Sequence, residues 1–236
     1  AIGNITDSLA VVKHMVYDKK LISARELYDA IMSNWEGKED LRQTILNEAP
    51  HYGNDNEYVD VFARWVSDVY GNAINSATGP RGRWAAGLFP VTAHVLFGMF
   101  TGATPDGRKA GEPLSDGISP VQQLDRNGPT AIIKSVSAID QKKFSNGTLL
   151  NMRFHPSALS NETGKEKLIA LIKTYFALGG MELQFNVVSR ETLERAREKP
   201  EEHRDLLVRV GGYSDYFVNL SPELQQEIIQ RFDIGG

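Results

Sequence analysis

The 236-residue chain contains no cysteine. That excludes disulfides, thiolate zinc sites and iron–sulfur clusters held by this chain. An excess of positive charge is also lacking. Twenty-six Lys and Arg stand against 30 Asp and Glu, a formal net charge of -4. Composition therefore makes no electrostatic case for nucleic acid or an anionic membrane surface as a partner. No apolar run approaches the roughly 20 residues of a membrane-spanning helix. The N-terminus, Ala1-Ile2-Gly3-Asn4, shows neither the basic region nor the apolar core of a secretion signal, so the cytoplasm is the expected compartment. It also lacks an initiator methionine, so residue 1 is expected to lie inside a longer gene product or to follow processing. What is present, 41% hydrophobic and 24% charged residues, is the composition of a globular protein. The length suffices for a sizeable core.

Helical periodicity dominates the first third. Leu9, Val12, Met15 and Val16 predict a helix over Ile5 to Tyr17. Ser23-Ala24-Arg25-Glu26 reads as a capping box, opening a helix with Leu27, Ile31, Met32 and Trp35 on one stripe. Further helices are expected over Asp40 to Asn47 and along Val59, Phe62, Val66 and Val69, separated by a polar turn at residues 51–56. Asn72 to Gly87 reads as a long loop. Its Gly79-Pro80-Arg81-Gly82 lacks the Gly-Lys-Ser/Thr ending of a phosphate loop.

Strand and helix alternate from about residue 88 onward, so the fold class is α/β. Leu88 to Phe100 is apolar and β-branched and is expected to be a buried strand. Pro105-Asp106-Gly107-Arg108 is a turn, with Asp106 and Arg108 expected to form ion pairs. Ile132 to Ile139 reads as a strand or the start of a helix, with Ser137 as a cap. His155 precedes Pro156 and is biased to extended backbone. A general-base role for it is weighed against a structural one. Lys165 to Leu178 predicts a helix closed by Gly179-Gly180. Met181 to Val188 alternates as a strand with Glu, Gln and Asn on one face. Ser189 caps another helix, and Ser221-Pro222-Glu223 opens a last one.

The most informative stretch is Arg209-Val210-Gly211-Gly212-Tyr213-Ser214-Asp215-Tyr216-Phe217, after the apolar Leu206-Leu207-Val208. By itself Gly-Gly marks a turn. Close to a C-terminus, however, Arg-Val-Gly-Gly-Tyr-Ser resembles the radical-site signature of the glycyl radical enzymes, the pyruvate formate-lyase superfamily. There the pattern is Arg-Val, a small residue, the radical glycine, then an aromatic and a small residue. A second stretch, Thr101 to Leu114, resembles the family's long ordered loop near the active centre. Asn146 to Asn151 and Phe154-His155-Pro156 favour the dehydratase and decarboxylase branches.

The resemblance implies that a hydrogen atom is removed from Cα of Gly212. Arg209, Val210, Gly211, Tyr213 and Ser214 complete the loop motif, and small side chains are implied to be accepted at position 211. A glycine suits such a radical: the centre is best stabilised when planar, and a Cβ would crowd that plane. By resemblance, residues 1–87 end a pyruvate formate-lyase-like helical domain. Residues 88–236 form the glycine radical domain, the C-terminal part of a ten-stranded α/β barrel. Phe89, Val91 and His94 become candidates for the wall of the substrate pocket. The implied partners are an S-adenosylmethionine-dependent iron–sulfur activating enzyme that installs the radical, and the cysteine-bearing remainder of the enzyme. The others are a small-molecule substrate and further copies of the full enzyme. No bound metal or organic cofactor is expected in this chain. Without a thiol it is expected to be inactive alone.

Overall fold

The computed structural model describes residues 1–89, 91–231, 233 and 234, the last two by their backbone. Helix α1 (Ile2–Val11) runs without a break into a π-helical segment, Val12–Asp18, where Lys19 N–H reaches the His14 carbonyl at 2.9 Å. The capping box forms as predicted at α2 (Ala24–Met32): Ser23 Oγ accepts Glu26 N–H at 3.1 Å, and Glu26 Oε2 accepts Ser23 N–H at 2.7 Å. Helices α3 (Glu39–Glu48) and α4 (Glu57–Ser76) follow, the latter capped by Asn56. The helical third does not stand apart. Ile2, Ala10, Tyr52, Val59 and Ala63 share one core with Ile132, Ile133, Phe144, Leu150 and Met152.

After the short hairpin β1 (Thr78–Gly79) and β2 (Gly82–Arg83), the structure corrects the strand expected over Leu88 to Phe100. Among the described residues of that run only Leu88 makes a bridge, to Thr148, and Ala93–Phe100 is helix α5. A run of apolar residues cannot distinguish the two periods by itself. Tertiary packing decides: His94, Val95 and Gly98 share the buried face, while Leu96, Phe97, Met99 and Phe100 are exposed. Gly98 lets α5 lie against the chain at Glu112, whose carbonyl would sit 2.3 Å from any Cβ there.

Helix α6 (Pro129–Val136) starts with a proline at its first turn. Ser137 follows its last turn and donates to the Ile133 carbonyl at 2.6 Å, so it closes this helix instead of opening one. Strand β3 (Leu150–Phe154) then leads through α7 (Glu162–Ala177) to the parallel strand β4 (Leu183–Val187). Helix α8 (Arg190–Glu198), the antiparallel pair β5 (Leu207–Arg209) and β6 (Ser214–Tyr216), and helix α9 (Pro222–Gln230) complete the order. Last comes β7 (Asp233–Ile234), and the sheet order is β4-β3-β7.

The faces of β3 and β4 position the site. Leu150, Met152 and Phe154 join the main core, with Leu183 and Phe185 packed against it. The alternate residues are polar and paired by register: Asn151 beside Gln184, Arg153 beside Asn186. These four point at the β5–β6 hairpin and α9, not at water. Gln184 and Asn186 are each only 5% exposed.

Candidate active site

Strands β5 and β6 pair with Arg209 opposite Ser214, and Val210 N–H donates to the Tyr213 carbonyl at 2.9 Å. Gly211 and Gly212 are thus the two central residues of a tight turn. Gly212 has φ +92°, the left-handed conformation that the second central position of a type II turn requires. Gly211 is needed for a different reason. A Cβ there would lie 2.5 Å from the Val91 carbonyl oxygen, whereas one at Gly212 would meet only Leu149 Cδ1, at 3.8 Å. The implied tolerance of small side chains at 211 therefore meets an obstacle in this fold. Val91 itself has φ +53°, an unfavourable conformation for a β-branched residue.

A cradle of side chains grips the turn from behind. Asn186 Oδ1 accepts Arg209 N–H, and its Nδ2 donates to the Arg209 carbonyl, both at 2.7 Å. Gly212 N–H donates to Gln184 Oε1 at 3.2 Å. The Val210 carbonyl accepts from Arg231 at 2.8 Å and, at the 3.5 Å limit, from Asn151. Arg231 also donates to the Arg209 carbonyl at 3.2 Å. The Arg209 side chain crosses the hairpin to Ser214 Oγ at 3.2 Å.

Arg231 is buried, and its charge is balanced by Glu227 at 3.0 Å, with Asp116 at 3.9 Å. Burial alone would raise the Glu227 carboxyl, but Arg231 and His94 hold it down to about 2. Gln122 donates to the same carboxylate, and Asn151 donates to Asp116. Between these groups lies a cavity of about 30 Å³, lined by polar groups of Asp116, Ser119, Gln122, Asn151 and Arg231 and by Pro120, Ile132 and Met152, and large enough for a water.

The other expected residues are distributed around this centre. Val91 covers the turn through its backbone. His94 is 3% exposed, with Nε2 3.5 Å from Glu227 Oε1, so it faces the ionic network behind the hairpin. Phe89 is partly exposed beside Gly87. Tyr213 packs against the core formed by Val95, Leu193, Val208, Val210, Phe217 and Ile228.

Asp106 and Arg108 do not pair as ions. Asp106 accepts from Asn4 and Thr104. Arg108 donates to the carbonyls of Thr101, Gly102, Lys109 and Glu112, so its fork stitches the loop together. His155 caps the turn Pro156–Leu159 by accepting Ser157 N–H, a structural role. Sequence reasoning missed Asn151, Gln184, Asn186, Glu227 and Arg231. One signal was present: the polar face of the strand at Met181 to Val188, which is buried. Among the described residues no group of three or more His, Cys, Asp or Glu could hold a metal ion, and no helix is long and apolar enough to cross a membrane.

Two family profiles match the chain: "Pyruvate formate lyase-like" over residues 1–98 and "Glycine radical" over residues 114–218, which includes the whole hairpin. The chain belongs to the glycyl radical enzymes. It is 42% identical over 231 residues to trans-4-hydroxy-L-proline dehydratase of Clostridioides difficile, covering 98% of this chain and 29% of that protein. The glycerol-bound B12-independent glycerol dehydratase of Clostridium butyricum superposes with a TM-score of 0.95 at 44% identity, over 99% of this chain and 30% of that one. A Roseburia inulinivorans structure concerned with 1,2-propanediol dehydration gives 0.95 at 43% identity, over 98% and 30%. The fold is accordingly the C-terminal part of the glycyl radical enzyme barrel. The chain spans about three tenths of the length of the curated relatives it matches.

Proposed function

We propose that this chain is the radical-bearing C-terminal portion of a glycyl radical lyase, with the radical on Cα of Gly212. The observation that carries this is the turn itself. Its second glycine has a positive φ and is uncrowded within this chain, with only Leu149 Cδ1 in ordinary contact distance of where a Cβ would be, and the flanking backbone is held by buried amide and guanidinium groups. That arrangement suits a backbone atom which must lose a hydrogen and flatten without losing its place. On this reading the loop motif is Arg209, Val210, Gly211, Tyr213 and Ser214. Residues 1–87 end the pyruvate formate-lyase-like part, and residues 88–236 are the radical domain.

The activating partner supplies an alkyl radical derived from S-adenosylmethionine. It takes one hydrogen atom, proton and electron together, from Gly212, so no charge remains in the turn. In the intact enzyme a cysteine outside this chain then exchanges a hydrogen atom with Gly212 and begins substrate chemistry. This chain has no thiol of its own to do so. The substrate reaction we favour is C–O cleavage, the dehydration of a small diol or polyol. Its support is the likeness to dehydratases named for hydroxyproline, glycerol and propanediol. The alternatives are arylacetate decarboxylation, C–N cleavage and formate acetyltransfer. We place the enzyme in the cytoplasm of an anaerobic metabolism, as a homo-oligomer. A second reading is a non-catalytic radical subunit that complements a damaged partner enzyme.

The test is anaerobic activation of the intact enzyme followed by exposure to air. A glycine-centred doublet in electron paramagnetic resonance, and then loss of a C-terminal peptide starting at position 212, are expected. Gly212→Ala should abolish both. A radical that survives Gly212→Ala would place the site elsewhere.

A further inference from the structure

The cradle contacts are mostly to carbonyls, which fix where the turn lies. One is different in kind. Gln184 Oε1 is the acceptor for the N–H of Gly212 itself, the residue whose Cα would carry the radical. Gln184 lies in the middle of β4 and is 5% exposed. Its amide orientation is set by a second contact: its Nε2 donates to the Glu182 carboxylate. A carboxylate only accepts, so the nitrogen must face Glu182 and the oxygen must face Gly212. A buried amide two residues along the strand, Asn186, holds Arg209 in the same direction.

The electronics of a backbone radical give this bond a role beyond placement. The half-filled Cα orbital draws on the amide nitrogen lone pair on one side and the carbonyl on the other. As the nitrogen donates, its hydrogen becomes a stronger donor. An acceptor already aimed along that N–H is then bonded more tightly to the radical than to the parent glycine. Stabilisation that differs between the two states shifts the equilibrium between them. Equal stabilisation of both would shift nothing. Gly212 must also relax from φ +92° toward a planar arrangement, and within this chain the space beside its Cα meets only Leu149 Cδ1, at 3.8 Å from an ideal Cβ. The turn can flatten while its N–H keeps the same partner.

We propose that Gln184 is a positioning residue for the glycyl radical, accepting the Gly212 N–H and stabilising the radical over the parent glycine, with Glu182 orienting its amide. This rests on Gly212 being the radical site, and the experiment separates the two. The intact enzyme is activated anaerobically in H2O and in D2O, and the radical is examined by electron paramagnetic and electron–nuclear double resonance. In the wild type the exchangeable amide deuteron of Gly212 should carry the reduced quadrupole coupling of a hydrogen-bonded N–D. Gln184→Met keeps side-chain length and removes the acceptor. It should restore the coupling of a free N–D and lower the radical per polypeptide, by at most the roughly 10-fold that a whole hydrogen bond is worth, because only the part by which the bond is stronger in the radical counts. Glu182→Ala, which frees the amide to rotate, should fall between.

A wild-type radical whose amide deuteron behaves as free overturns the role of Gln184 while leaving Gly212 in place, and this measurement does not depend on any variant folding. A Gln184→Met enzyme that loses turnover yet keeps the wild-type deuteron coupling and radical content would reduce Gln184 to a buttress of the hairpin. No glycine-centred doublet in the wild type overturns both readings.

Discussion

Substituting Gly211 by alanine tests the geometry of the turn most directly. An ideal Cβ at this position lies 2.5 Å from the Val91 carbonyl oxygen, and real Cβ atoms essentially never approach below 3.0 Å. The carbonyl must therefore retreat by at least about 0.5 Å, the difference of those two distances. The obstacle is backbone and not the end of a flexible side chain. It belongs to a residue already at φ +53°, where a β-branched side chain has little freedom to adjust. Overpacking of this kind costs about 1–3 kcal/mol. If the cost falls on the docked hairpin, it opens about 5 to 150 times more often, at 1.4 kcal/mol per factor of ten. The reporter is Val210 N–H, bonded across the turn to the Tyr213 carbonyl at 2.9 Å. Its hydrogen exchange in the intact enzyme, read by mass spectrometry on the hairpin peptide, should accelerate by that factor. The radical should still form, because Cα of Gly212 is untouched. Unchanged Val210 protection in Gly211→Ala would refute the close approach of Val91. Loss of the doublet in Gly211→Ala with its survival in Gly212→Ala would put the radical one residue earlier.

Three further predictions concern the ionic support. Glu227 is held at about 2 in the folded protein against an ordinary 4.5, so its contribution is complete above about pH 4.5 and is lost as pH falls toward 2. The stability difference between wild type and Glu227→Gln, measured by denaturant midpoint, should therefore be constant at neutral pH and shrink across that window. Arg231→Leu leaves Glu227 buried without its cation and should cost about 3–5 kcal/mol. Arg231→Lys restores the charge but not the fork that reaches the Arg209 and Val210 carbonyls together, so hairpin amides should still exchange faster than in the wild type.

Local chemistry made much of this protein legible in its residues. The capping box at Ser23, the amphipathic stripes of the first third, the helix stop at Gly179 and the Gly-Gly turn all depend on neighbours within a few positions. So does the motif at Arg209 to Ser214, through which the family could be named. What the chain could not declare is anything set by contacts distant in sequence. The apolar run at Leu88 to Phe100 fits strand or helix, and the close packing of Gly98 on Glu112 selects helix. Asp106 and Arg108 read as ion-pair formers until the fold supplied backbone carbonyls and Asn4 instead. The polar alternation at Gln184 and Asn186 looks like a wet face of a strand. Only the tertiary structure turns that face inward, because the hairpin and α9 cover it with backbone groups that need partners. Those partners come from residues 21 to 76 positions away from the groups they hold. No local pattern encodes such separations, and burial is what gives the bonds their weight.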